Sequence, residues 1–133
     1  MTPRRITASY AGTPYEVILQ DGVHHWLADK PADLGGRDNG PSPFSLVLSG
    51  LGACTVATLV MYAGGKSWPL RGVRVTLDLA LPGKGERGGR ITRDIHLDGE
   101  LDESQRERLL DIANRCPVHR LLTGDIQVDS RLA

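Results

Sequence analysis

A chain of 133 residues in which 16 Lys and Arg balance 16 Asp and Glu has the length of one domain, expected over residues 1–133, and no excess charge. Such a domain hides about 70% of its unfolded surface and needs neither cofactor nor disulfide to fold. Zero net charge provides no basic footprint for nucleic acid or for an anionic membrane, which leaves small molecules or proteins as partners.

Arg4-Arg5 is not followed by an apolar run of signal-peptide length, which predicts a cytoplasmic location. Thiols stay reduced there, and a lasting structural disulfide would be unusual. Ile6–Tyr10, Tyr15–Leu19 and His24–Ala28 read as three short strands of an antiparallel meander, broken by the turn signals Gly12-Thr13-Pro14 and Asp21-Gly22. A glycine-rich connector, Lys30 to Gly40, leads to Pro41-Ser42-Pro43, where Ser42 is placed to cap a helix and Pro43 to open it.

No residue from Asn39 to Gly65 is charged. Apolar side chains occupy every face of the expected helix (Phe44, Leu48, Leu51, Val56, Val60, Met61), which predicts a helix buried all round. Its length suits a membrane span, but its glycines, serines and threonines dilute its hydrophobicity and the rest of the chain patterns as a soluble fold. Ser49, Gly50, Gly52 and Ala53 would admit a second helix or a second subunit closely, and Gly64-Gly65 would end the helix.

Val73–Leu81 and Ile91–Leu97 alternate apolar and polar around the turn Gly83-Lys84-Gly85 and read as a hairpin. Asp102 with Gln105 three residues later resembles a capping box. Leu109, Ile112, Ala113 and Cys116 then share one helical face, so Cys116 points with the core stripe. Pro117 closes that helix, a short turn covers Val118–Leu122, and a last strand is expected over Asp125–Ser130.

The chain has two cysteines, Cys54 and Cys116. A thiol that reduces peroxide reacts as its thiolate and, once oxidised to sulfenic acid, needs a second thiol to form a disulfide before over-oxidation. The two are too far apart for a Cys-x-x-Cys motif, so only the fold could pair them. Free cysteine also behaves as a small buried apolar side chain, and a plain core role stands beside the redox one. Cys116 precedes a helical turn and has Arg115 and Arg120 nearby, which makes it the better activated thiol on local grounds; Cys54 lies deep inside its helix.

Gly40-Pro41-Ser42-Pro43, the hydrophobic helix with Leu51-Gly52-Ala53-Cys54-Thr55, and Cys116-Pro117-Val118 together resemble the OsmC and Ohr family, named for osmotic induction and organic hydroperoxide resistance. The order of elements agrees over nearly the whole chain. The resemblance implies an α+β fold of antiparallel sheets wrapped around a long buried central helix, in an intertwined homodimer. It implies Cys54 as the peroxidatic and Cys116 as the resolving thiol, against the local electrostatic ranking. It further implies organic hydroperoxides as substrates, with hydrogen peroxide as a further candidate, an external dithiol of dihydrolipoyl or thioredoxin type as reductant, and no metal or organic cofactor. An apolar substrate pocket at the dimer interface would include Phe44, Leu48, Leu51 and Met61.

Phe44 and Ser45 stand where the peroxidase branches carry a glutamate paired with an arginine. No arginine occupies the Gly12-Thr13-Pro14 turn, which leaves Arg37 in the connector as a weak substitute beside its simpler role as a solvated charge. The chain therefore looks most like the broader OsmC-like group, and a non-catalytic ligand-binding or redox-sensing dimer is the alternative. Cys116-x-x-His119 with His24-His25 hints at zinc, but there is no second compact ligand pair, and adjacent strand residues face opposite ways, so no metal site is expected. His119 is placed to tune Cys116 or to lie at the surface.

Overall fold

The computed structural model describes residues 2–133. The fold is α+β, as expected, and divides into one compact unit ending at Val47 and another beginning at Leu48. In the first, β1 (Thr7–Tyr10), β2 (Val17–Gln20) and β3 (His25–Ala28) form an antiparallel meander in the order β1-β2-β3. The β2–β3 turn is built by Asp21, whose carboxylate accepts the His24 and Val23 backbone N–H groups at 2.6 and 2.9 Å and lies 2.9 Å from His24 Nδ1. The bonds from His24, then that from Val23, hold this carboxyl well below its ordinary range. His24 thus belongs to the turn, and the strand starts at His25.

The connector is more ordered than its glycine content suggests. Buried Asp29 accepts backbone N–H groups from Lys30 at 2.7 Å, Asn39 at 3.1 Å and Arg37 at 3.3 Å, pinning the loop around a short 3-10 turn over Ala32–Leu34. The bond from Asn39 leads in lowering the Asp29 pKa, against the opposing effect of burial.

Helix α1 (Pro43–Gly65) begins where Pro43 and Ser42 predict, with Ser42 Oγ accepting the Ser45 N–H at 3.2 Å. It is long and apolar enough to cross a membrane by length and composition. The expectation of burial all round is not met in the single chain: the buried residues are Leu51, Thr55, Leu59 and Ala63, one stripe at i, i+4, i+8 and i+12. Phe44, Val60 and Met61 are 53%, 54% and 74% exposed, because one chain supplies cover for only one side of the helix. The exit differs in detail. Gly64 and Gly65 stay helical while Ser67 takes a positive φ of 57°, which lets the Trp68 N–H reach the Ala63 carbonyl at 2.9 Å.

In the second unit, β4 (Leu70–Ala80) and β5 (Arg90–Gly99) pair antiparallel from Leu70↔Gly99 to Ala80↔Arg90. β5 alternates strictly and β4 does so from Val73 on, after a register shift between Leu70 and Gly72, and their inward side chains pack with α1 and α2 (Glu103–Ala113). The core is Leu59 and Ala63 of α1 with Leu109, Ile112 and Ala113 of α2, ringed by Tyr62, Trp68, Val73, Ile95 and Leu97. Leu59 and Leu109 are fully buried, each contributing about 1.5–3 kcal/mol. Gly52 marks the close approach of α1 to β4: a Cβ there would sit 3.0 Å from Leu77 Cδ1. Asp102 and Gln105 form the expected reciprocal capping box on α2. The Arg106 guanidinium then donates to the carbonyls of Leu97, Gly99 and Leu101, tying the end of β5 to the helix.

Helix α3 (Pro117–Thr123) follows as predicted. The strand expected over Asp125–Ser130 does not form. Ile126 and Val128 are exposed and no described strand pairs with the segment; strand backbone needs a partner's ladder to satisfy its N–H and C=O groups.

Candidate functional site

Pro117 determines where Cys116 sits. A residue before proline is driven out of the helical region, so α2 stops at Ala113 and Cys116 is extended, with φ −63° and ψ 145°. Cys116 becomes the N-cap of α3, its Sγ accepting the His119 N–H at 3.3 Å. All four residues of the predicted core stripe, Leu109, Ile112, Ala113 and Cys116, are buried, although the last has left the helix that the pattern implied. Cys54 is half-buried on α1, its Sγ 3.9 Å from Thr58 Oγ1, and both thiols are free.

The segments that carry the two cysteines meet at Arg93, a residue that sequence reasoning passed over. Arg93 lies on β5 opposite Leu77, in the inward register of Ile91 and Ile95. Its Nη1 donates to Thr55 Oγ1 at 3.0 Å, and Thr55 is the residue after Cys54. Its Nη2 donates to Asn114 Oδ1 at 3.0 Å and to His119 Nδ1 at 3.2 Å. Thr55 passes the chain on by donating to the Leu51 carbonyl at 2.7 Å. One guanidinium therefore joins β5, α1, the end of α2 and α3.

The bond to His119 specifies protonation. A guanidinium has no acceptor, so Nδ1 presents its lone pair and the neutral ring carries its proton on Nε2. Burial, and then the charge on Arg93, lowers the His119 pKa and keeps the ring neutral. A cavity of about 390 Å³ opens beside this network, lined by Leu51, Ile91, Arg93, Leu110, His119 and Leu122 among others.

Of the residues expected around a substrate pocket, Leu51 lines this cavity. Leu48 is half-buried on α1, Met61 is exposed further along the helix, and Phe44 and Arg37 are exposed in the first unit. Among the described residues no three His, Cys, Asp or Glu side chains converge as a metal site would require. One signal could have revealed Arg93: it is a charged residue in the apolar register of an alternating strand, a position that demands partners.

The fold has clear relatives. An OsmC-like protein from Mycoplasma pneumoniae superposes with a TM-score of 0.79 at 23% identity over 92% of this chain and 89% of that one. An organic hydroperoxide resistance protein OsmC from Legionella pneumophila superposes at 0.66 with 25% identity, over 90% and 88%. The organic hydroperoxide resistance protein OhrB of Bacillus subtilis does so at 0.63 with 21% identity, over 91% and 90%. No curated protein sequence matches the chain. The profile of the OsmC-like protein family matches residues 36–131, which include α1 with Cys54, both strands of the hairpin, and Cys116 with α3. The chain belongs to the OsmC-like family.

Proposed function

We propose that this protein is a thiol-dependent peroxidase acting on organic hydroperoxides in oxidative stress defence. The observation that carries this reading is the Arg93 tie: one side chain bonds both the neighbour of Cys54 and the residue whose N–H caps Cys116. Membership of a family with relatives named for organic hydroperoxide resistance supports it.

In this mechanism the Cys54 thiolate attacks the terminal peroxide oxygen. The O–O bond breaks, the alcohol leaves after taking up a proton, and the sulfur becomes a sulfenic acid. Cys116 attacks that sulfur, water departs with the sulfenic oxygen, and a Cys54–Cys116 disulfide forms. An external dithiol, of dihydrolipoyl or thioredoxin type, returns both thiols and is itself oxidised. The single domain works as a cytoplasmic homodimer, and a second copy covers the apolar side chains that α1 leaves exposed, Val60 and Met61 among them. Phe44, Leu48, Leu51 and Met61, all on α1, contribute the apolar substrate surface, with Arg37 in a minor role. Rapid mixing of reduced protein with tert-butyl hydroperoxide, followed by thiol counting and peptide mapping, tests the reading: fast bridging of Cys54 to Cys116 is expected, and persistence of both thiols would sink it.

A second reading, a non-catalytic ligand-binding or redox-sensing dimer, draws support from the complete burial of Cys116 and from Phe44 and Ser45 at the glutamate positions. A binder would gain thermal stability from its ligand and keep both thiols when peroxide is added.

A further inference from the structure

We infer that the cavity over Arg93 is a binding site for a small apolar molecule bearing a single carboxylate. Arg93 is a charged group placed on the inward face of β5. Its three partners, Thr55, Asn114 and His119, are all neutral. Among the described residues no carboxylate pairs with it: Asp94, its neighbour, occupies the outward register, and the ion pairs of the chain lie elsewhere. The guanidinium is half-buried beside apolar side chains with neutral partners only, so a matching anion would add charge-assisted bonds that those partners do not supply.

The donors for such an anion are present. Arg93 has five N–H groups, of which three are used, one from Nη1 and two from Nη2. Its Nε–H and second Nη1–H have no partner among the described residues, and neither does the Nε2–H that the tautomer of His119 requires. No buried side-chain nitrogen or oxygen of the described residues lacks a partner. The spare Nε–H groups are therefore reachable by solvent rather than sealed in. Guanidinium matches the planar carboxylate better than it matches a neutral amide.

The rest of the wall selects the body of the ligand. Leu51, Ile91, Ile95, Leu110 and Leu122 line the cavity, and about 390 Å³ falls at the small end of the range for small-molecule sites. A medium-chain or aromatic monocarboxylate fits this description, whereas a bare inorganic anion would leave the apolar wall unused. The site stands independently of the peroxidase reading, since neither thiol belongs to its lining.

Octanoate and its neutral isostere octanamide test the inference by calorimetric titration of the reduced full-length protein. Saturable octanoate binding at least tenfold tighter than octanamide is expected, weakening as salt rises. Arg93→Met should lose that preference while Arg93→Lys keeps part of it. If Arg93→Met does not fold, the comparison of the two ligands on the wild type, and Arg93→Lys, still decide the matter. Equal affinity for both ligands, no octanoate binding, or a folded Arg93→Met with unchanged preference would each overturn it. Cys54→Ser should bind octanoate as the wild type does, so failure of the peroxidase reading and failure of this site are separately visible.

Discussion

Arg93 on β5 and His119 on α3 meet at 3.2 Å through Nη2 and Nδ1, and because the guanidinium can only donate, this contact requires a neutral imidazole. The His119 backbone N–H simultaneously caps Cys116 Sγ, so the protonation of one ring bears on the anchoring of the helix that holds the second thiol.

The pH dependence follows in sign. Burial and the Arg93 charge lower the His119 pKa in the fold, so the unfolded chain takes up this proton first as pH falls. The contribution of a neutral His119 is complete above the ordinary histidine value of about 6.5 and is lost as pH drops from there toward the folded value. Urea midpoints should fall between pH 7 and pH 5, and His119→Gln should flatten that slope; an unchanged slope in the variant would contradict it. Asp29, whose pKa is also lowered, acts the same way only below about 3.9.

Thr55 is fully buried and accepts from Arg93 while donating to the Leu51 carbonyl. Thr55→Val keeps the shape and deletes both bonds, and should cost about 1 kcal/mol in urea denaturation, with Thr55→Ser recovering most of it. A valine variant as stable as the wild type would show that the Arg93 tie contributes nothing.

The two thiols separate by role. Cys54→Ser should abolish peroxide turnover. Cys116→Ser should consume a first equivalent of peroxide to give a Cys54 sulfenic acid, form no intramolecular bridge, and with a second equivalent accumulate sulfinic acid at Cys54 by mass spectrometry. Preferential oxidation of Cys116 in the wild type would reverse the assignment.

Leu109 and Leu110 are neighbours on α2 with 0% and 55% exposure. Leu109→Ala should lose about 2–5 kcal/mol by leaving a cavity, while Leu110→Ala should stay within about 0.5 kcal/mol. Equal losses in thermal or urea unfolding would mean that the helix is packed on a different face.

The exposed apolar face of α1 predicts self-association. Sedimentation velocity should give a two-chain mass, and Met61→Glu, which places a charge on that face, should shift the distribution toward single chains. A monomer at all concentrations would leave Val60 and Met61 without an explanation.

Much of this molecule is local, and local features are legible in a sequence. Period-two alternation located the strands, Ser42-Pro43 opened α1, and Asp102 with Gln105 started α2, because capping and turn chemistry involve residues only a few positions apart. The stripe Leu109, Ile112, Ala113 and Cys116 was readable for the same reason, even though Pro117 redirects its last member. Composition also misled. An uncharged helix reads as buried on every side, whereas one chain covers one stripe, and Asp125–Ser130 has strand-like residues but pairs with no described strand. The joining of Cys54's neighbour to the cap of Cys116 belongs to the tertiary structure alone. Arg93 reaches Thr55, Asn114 and His119 across 38, 21 and 26 residues of sequence, and no periodicity or propensity acts over that range. Only the packing of α1, α2 and α3 around the hairpin brings those four side chains within hydrogen-bonding distance.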